Sequence, residues 1–339
     1  MKKPNIAVLG ATGVVGRHIL EIMQNMHIEY ENLKLLSSAK SAGTKMTVNG
    51  REYTLEEAKP ESFDDVNIVL ASAGASTSKL FAPEIVKRGG VLIDNSSAFR
   101  MEKDVPLVIV GMNDEDLKNH KGIISNPNCS TSQLILALKP LHELAKIKRM
   151  IVTTYQSVSG AGLAAINELK ENTKAKLENK DFTPVKFVQP IAFNVIPQID
   201  SFTENGYTKE EMKVVNETKK IMHLDSDVQI SCTAARVPVF VSHSEAVDVE
   251  FVENISVVEA RNALSNSFGV TVVDDIDNMK FPTAIQAEGK DPVYVGRIRQ
   301  NLAFGNKGLS FWCVGDNLRI GAALNTVRIC KRVTEMELF

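Results

Sequence analysis

The rhythm of apolar and polar positions changes near Cys129. Before it, apolar residues come in short unbroken runs: Asn5-Ile6-Ala7-Val8-Leu9, Leu33 to Leu36, Ile68 to Ala71 and Val91 to Asp94. Such runs between turn residues predict strands buried on both faces, as in a parallel sheet. Helical spacing alternates with them. Val15, Ile19, Ile22 and Met23 share one face of a helix reaching about Met26, and Ser78 to Lys87 predicts a second helix. Leu107 to Val110 and Gly122 to Ser125 continue the strands, and Met46 to Thr54 predicts a hairpin around Asn49-Gly50, a type I′ turn pair. The sum is an α/β domain with a doubly wound sheet.

From Cys129 onward the period differs. Leu134, Ile135, Leu138 and Leu141 place a helix over Thr131 to about Glu143, and another is expected over Lys209 to Met222. The strands lengthen and alternate: Met150 to Val158, Val228 to Phe240 and Ala246 to Glu253. In the last, Val247, Val249 and Phe251 interleave with Asp248 and Glu250, as in a half-buried antiparallel strand. Phe182 to Pro197 is punctuated by proline and reads as irregular. A second, α+β domain with an open sheet follows, and an open sheet face suits a dimer interface. A last helix, about Asn317 to Val333, carries the small residues Gly321, Ala322 and Ala323 and is expected to pack closely or return to the first domain. The expected division is 1–128, 129–316 and 317–339.

The 339 residues suffice for two cores, and a net charge of −2 gives no electrostatic case for nucleic acid or an anionic membrane. No apolar run approaches the roughly 18 residues of a spanning helix. Met1-Lys2-Lys3-Pro4 leads straight into a core strand rather than a signal peptide. The four cysteines, Cys129, Cys232, Cys313 and Cys330, lie far apart without a C-x-x-C pair. That spacing argues against zinc and redox-pair sites, and free thiols fit a cytoplasmic location.

Two segments carry chemistry. Gly10-Ala11-Thr12-Gly13-Val14-Val15-Gly16 follows the first strand and opens a helix, the context a dinucleotide site needs. The first glycine makes the turn, and the second lets the backbone approach a pyrophosphate at the helix N-terminus. The second strand ends in Ser37-Ser38-Ala39-Lys40, with no carboxylate for a ribose 2′-hydroxyl, so hydroxyls and lysine point to the 2′-phosphate of NADP. In Ser125-Asn126-Pro127-Asn128-Cys129-Ser130-Thr131-Ser132, a cysteine stands at the mouth of a helix, whose N–H groups favour a thiolate. The helix contributes about 0.3–2 kcal/mol, so a nucleophile here also needs a histidine.

Taken in order along the whole chain, the glycine loop, Asp94-Asn95-Ser96-Ser97-Ala98-Phe99-Arg100, Asn126-Pro127-Asn128-Cys129, Tyr155-Gln156-Ser157-Val158-Ser159-Gly160-Ala161-Gly162, Arg236-Val237-Pro238-Val239, Ser242-His243-Ser244-Glu245 and Asp316-Asn317-Leu318 resemble the aspartate-semialdehyde dehydrogenases. The resemblance implies a Rossmann-type first domain, a catalytic and dimerisation second domain, a C-terminal helix returning to the first, and a homodimer or dimer of dimers. It implies reversible NADP-dependent conversion between 4-phospho-L-aspartate and L-aspartate 4-semialdehyde with release or uptake of phosphate. That reaction leads to lysine, threonine, methionine and diaminopimelate. Cys129 would be the nucleophile, His243 the acid/base and Gln156 the orienting group. Arg236 would hold the substrate carboxylate, Arg100 and Lys213 the phosphoryl group, and Glu210 the α-ammonium, with Asn128 also at the substrate. Gly10, Thr12, Gly13, Val14, Val15, Ser38, Lys40, Ser72, Gly74, Ser159, Gly160 and Asn317 would meet the cofactor.

Each residue also has a plainer reading. Glu210 and Lys213 are three apart on a helix and suit a surface ion pair. Arg236 suits a strand-end pair, and Gln156 suits backbone satisfaction. The extra thiol Cys232 reads as core. The rival enzyme is an N-acetyl-γ-glutamyl-phosphate reductase, disfavoured because its nucleophile region reads Pro-Gly-Cys. The rival from another class is a non-catalytic relative, which would lack the cysteine or histidine.

Overall fold

The computed structural model describes residues 3–339; Met1 and Lys2, part of the N-terminal stretch read above as no signal peptide, lie outside the described residues. The chain divides into two compact units, 1–128 with 322–339, and 129–321.

The first unit opens with β1 (Ile6–Leu9), α1 (Val14–Asn25) and β2 (Leu33–Ser37), then the hairpin β3 (Lys45–Val48) and β4 (Arg51–Thr54). β5 (Glu56–Glu57), β6 (Ile68–Ala71), α2 (Ala75–Lys87), β7 (Val91–Asp94) and β8 (Ile123–Ser125) follow. Six strands pair in the order β5-β2-β1-β6-β7-β8, every pair parallel. Ala7, Leu9, Leu36, Val69 and Leu92 bury one face with Phe81, Ala82 and Ile85 of α2. The residues between them, Ile6, Val8, Leu70 and Ile93, are equally buried. Burial on both faces is why these strands read as unbroken apolar runs. The hairpin turns at Asn49 and Gly50, with φ of 50° and 73°, the expected type I′ sign.

One expected strand is absent. Of Leu107 to Val110, only Leu107 bridges Ser125. The Ile109 and Val110 N–H groups donate instead to the side-chain oxygens of Asn113 and Asn325, so side-chain acceptors replace a ladder.

The second unit begins with α3 (Cys129–Ala145), so Cys129 is the first helical residue rather than a flanking one. β9 (Ile147–Gln156), α4 (Leu163–Leu177), α5 (Lys209–Ile221), β10 (Gln229–Arg236) and β11 (His243–Phe251) follow. Next come α6 (Val257–Ser265), β12 (Val270–Val272), α7 (Ala284–Ala287), β13 (Val293–Gln300) and β14 (Gly308–Gly315). The sheet runs β10-β9-β11-β14-β13-β12 and is mixed. The strand expected over Val228 to Phe240 stops at Arg236. Arg236 exchanges both backbone bonds with Ile196, and Pro238 has no N–H to continue a ladder. The irregular 182–197 segment is pinned from α4: Glu168 accepts the N–H groups of Val185, Lys186 and Phe187, and Asn172 accepts that of Ala192.

The chain re-enters the first unit at Ala322, five residues later than expected, and α8 (Leu324–Glu335) lies against β6, β7 and α1. Asn325 fixes it there: its amide donates to Val108 O at 2.8 Å and Asn126 Oδ1 at 2.6 Å, and its carbonyl accepts Val110 N–H at 3.0 Å. No helix among the described residues is long and apolar enough to cross a membrane.

Candidate active site

In the second unit, the α3-facing side of the sheet presents a buried row at the strand ends. Arg236 of β10 pairs in register with Gln156 of β9, and His243 of β11 with Gly315 of β14. Cys129 opens α3 above them, with Sγ 3.2 Å from His243 Nε2. Ser157 N–H donates to His243 Nδ1 at 3.1 Å. A ring nitrogen that accepts carries no proton, so the neutral imidazole holds its proton on Nε2 and directs it at the sulfur. Burial, then the Arg236 charge, pushes the His243 pKa down to about 3, which keeps the ring neutral at physiological pH. A negative Sγ is thus met by Nε2–H and by the N–H groups of the first turn of α3.

The other thiols cannot compete. Burial pushes Cys232, Cys313 and Cys330 up, Cys330 to about 12. Cys129 is the one cysteine that is partly exposed among the described residues.

Glu210 and Lys213 of α5 come to the same row. Glu210, only 5% exposed, accepts from Gln156 Nε2 at 3.3 Å and from Lys213 Nζ at 3.0 Å. This is the expected i,i+3 pair, but not on a solvated face. Burial opposes the Lys213 charge, yet Glu210 and Asp200 outweigh it and hold its pKa above the ordinary lysine value. The capping box of Thr208 with Glu211 starts α5 at this point, and Glu211 also accepts Ala234 N–H, tying α5 to β10. Arg236, buried like Glu210, donates from Nη1 to Ser157 O at 2.6 Å. A Cβ on Gly160 would come within 3.1 Å of Arg236 Nη1 and 3.2 Å of His243 Nε2, so the absence of a side chain lets the two converge.

Ser159 and Asn317, expected at the cofactor, have local partners. Asn317 is 3% exposed. Its Oδ1 accepts from Ser157 Oγ, Ser159 Oγ and Ser242 N–H, and its Nδ2 donates to Ser159 Oγ. It stands ahead of α8 in the second unit rather than on the returning helix, and it holds the two segments that flank His243. Ser157 sets the His243 tautomer through its backbone N–H, and nothing in the linear sequence marks that N–H as the group that matters.

In the first unit, Gly10, Thr12, Gly13, Ser38 and Ser72 line one cleft of about 480 Å³. Gly10 has φ of +86°, and a Cβ on Gly16 would lie 2.2 Å from Gly10 O, so both glycines are dictated by the turn. α1 begins at Val14 and Val15 with no side-chain cap on Gly13, leaving its N-terminus for an anion. The cleft therefore fits a dinucleotide pyrophosphate. Lys40 is exposed, and neither it nor Gly74 is among the lining residues. A carboxylate that the sequence reading placed nowhere near the second strand is present: β5 pairs Glu57 with Ser37, and Glu57 lines the cleft. Arg100 is buried elsewhere in this unit, with Nε on Asn126 O at 2.9 Å and Nη2 on Asn95 O at 2.7 Å. Asn128, also buried, is the last residue of this unit before Cys129.

Comparison with known proteins agrees with this arrangement. Residues 5–120 match the semialdehyde dehydrogenase NAD-binding domain, and residues 138–320 the semialdehyde dehydrogenase dimerisation domain. The chain is 50% identical to the aspartate-semialdehyde dehydrogenase of Aquifex aeolicus (96% of each chain) and 47% identical to that of Bacillus subtilis (98% of each). Its structure superposes on aspartate semialdehyde dehydrogenase II of Vibrio cholerae, solved as a complex with ASA, with a TM-score of 0.95 at 41% identity over 99% of both chains. It also superposes on the Candida albicans enzyme solved with NADP, with a TM-score of 0.78 at 25% identity over 100% of both. With a dinucleotide cleft in one unit, a cysteine–histidine pair in the other and near-half identity along almost its entire length, the chain belongs to the aspartate-semialdehyde dehydrogenase family.

Proposed function

We propose that this chain catalyses the NADP-dependent, reversible reductive dephosphorylation of 4-phospho-L-aspartate to L-aspartate 4-semialdehyde through a thioester on Cys129, on the route toward lysine, threonine and methionine. The observation that carries this reading is the 3.2 Å approach of Cys129 Sγ to a His243 Nε2 whose proton is assigned by the Ser157 N–H on Nδ1. Sγ attacks the acyl carbon and displaces phosphate, forming the thioester. A dinucleotide held at Gly10, Gly13 and Ser38 would supply the hydride that this carbon receives. His243 Nε2–H, which stays on the neutral ring, donates a hydrogen bond to the sulfur and to the oxyanion that hydride addition creates; that oxyanion re-forms the carbonyl as the carbon–sulfur bond breaks, releasing the aldehyde and the Cys129 thiolate. Gln156 is held by Glu210, so its carboxamide stands fixed beside the reacting centre. Arg236 offers a planar cation for the substrate carboxylate, and Glu210 a buried anion for the α-ammonium. Arg100 and Lys213 serve the phosphoryl end.

For the cofactor, Ser38 in the cleft and the NADP of the Candida relative favour NADP. Glu57 works against strict discrimination, since a carboxylate suits a 2′-hydroxyl better than a 2′-phosphate.

The test is NADPH formation from L-aspartate 4-semialdehyde with and without phosphate, beside N-acetylglutamate semialdehyde. The expected result is phosphate-dependent turnover of the aspartate compound alone, lost in Cys129→Ala while NADP affinity stays within about twofold. Turnover of the acetylated compound alone would replace the substrate, and equal loss of NADP affinity in Cys129→Ala would remove the nucleophile assignment.

A further inference from the structure

One buried polar group near the site has no part in the mechanism above. Glu245 stands two residues along β11 from His243, on the same sheet face, fully enclosed, with Thr154 of β9 and Cys313 of β14 as its cross-strand neighbours. Neither carboxyl oxygen makes a hydrogen bond of normal length and angle, although the Gln133 amide stands close enough to act on its charge. Above it lies Gln133, also fully buried, one helical turn beyond Cys129. Gln133 Nε2 donates to the backbone carbonyl of His243 at 3.3 Å, while its Oε1 is a third buried atom without a partner. Gly315 leaves room for it, since a Cβ there would stand 2.8 Å from that Oε1. Cys313 Sγ lies 3.7 Å from Gln133 O, a further link from the same turn to the sheet.

We propose that Gln133, supported from behind by Glu245, is the positioning residue that fixes the Cys129 helix against the His243 strand and so sets the Sγ–Nε2 separation. This rests on the Cys129–His243 pair being the working pair of the proposed reaction.

The chemistry of these three orphaned atoms supports it. Burial raises the Glu245 pKa well above the carboxylate range, and the nearby Gln133 amide only partly offsets this. The titratable groups facing Glu245 are Cys232 of β10 and Cys313 of β14, both held as thiols by burial, so no cation restores its charge. Burial without a cation favours the protonated form of Glu245, which carries one O–H to give. Gln133 Oε1 is an acceptor lacking a donor, and a small side-chain adjustment would let the Glu245 O–H supply one. Gln133 then has its Nε2 aimed at the His243 carbonyl and cannot flip without placing two acceptors together. Elsewhere the buried face of α3 is apolar, through Leu134, Ile135, Leu138 and Leu141. Polar groups are buried only in its first two turns, where the direction of Cys129 is decided. Apolar contacts would hold the helix equally well but are not directional.

The experiment compares wild type with Gln133→Met, Glu245→Leu and Glu245→Gln. Three readouts are taken: iodoacetamide alkylation of Cys129 against pH, steady-state kcat and KM, and urea midpoints. For Gln133→Met and Glu245→Leu we expect the alkylation profile to move to higher pH and kcat to fall about 10- to 100-fold with KM within about threefold. Glu245→Gln, which keeps a neutral donor, should recover most of what Glu245→Leu loses. If Gln133→Met does not fold, Gln133→Asn, which keeps the amide but not the reach, replaces it. Folded Gln133 variants with a wild-type alkylation profile and kcat would overturn the proposal, as would a lowered urea midpoint with kcat unchanged. Alkylation needs no substrate, so the positioning role is tested even if the protein turns over neither semialdehyde.

Discussion

His243 concentrates the chemistry of a single residue. It is fully enclosed, its Nδ1 accepts from Ser157, and burial followed by the Arg236 charge brings its pKa to about 3. An unfolded histidine titrates near 6.5. Between those values the unfolded chain binds a proton that the folded one refuses, so this group lowers stability as pH falls from about 6.5 to about 3. The slope is about 1.4 kcal/mol per pH unit at most, and nothing is lost above the window. We expect urea unfolding from pH 4 to 7 to fall less steeply in His243→Asn than in wild type. Parallel curves would mean that the folded imidazole is protonated in that range. Glu245 has the opposite sign: its raised pKa favours the fold at low pH and loses that contribution as pH rises past the unfolded carboxyl value.

At the scale of elements, the two-residue strand β5 changes the cofactor argument. Reading along the chain, the second strand ends in hydroxyls and lysine and NADP follows. Across the sheet, β5 lies beside β2 and sets Glu57 at Ser37, twenty residues away in sequence. Glu57 pairs with Lys59 Nζ at 2.9 Å, which partly neutralises it. We expect Glu57→Gln to raise the ratio of kcat/KM for NADP over NAD by about tenfold. A ratio unchanged within twofold would mean that this carboxylate does not meet the adenosine ribose. The strand β13 shows the same limit from another side. In β13 no single alternating period runs through the strand, because the register shifts between Gly296 and Arg299, with Arg297 at φ of 55°.

At the scale of the whole molecule, the chain builds one unit, then the second, and returns to the first at Ala322. The second-unit sheet covers one face with α3 and leaves Ile151 half exposed on the other, where the Tyr155 and Trp312 rings meet tilted at 41° with centroids 5.3 Å apart. Together with the match to a dimerisation domain, this supports a homodimer through that face. Light scattering should give twice the 37.2 kDa chain mass. A monomer in wild type would remove the dimer, and Ile151→Lys should shift a real dimer toward monomer.

The sequence by itself determined the parallel sheet, the hairpin turn, the glycine loop, the cysteine at a helix start and the family, because each is written in a local period or a contiguous motif. Tertiary structure alone decided the rest. The Nε2 tautomer of His243 depends on a backbone N–H of Ser157 that has no side-chain signature. The burial of Glu210 beside Gln156, the arrival of Glu57 at the cleft and the link from Gln133 to Glu245 join residues 20 to 112 positions apart. A charge in sequence does not say whether water or protein surrounds it, and that surrounding fixes whether a carboxyl is an ion pair, a discriminator or a neutral donor.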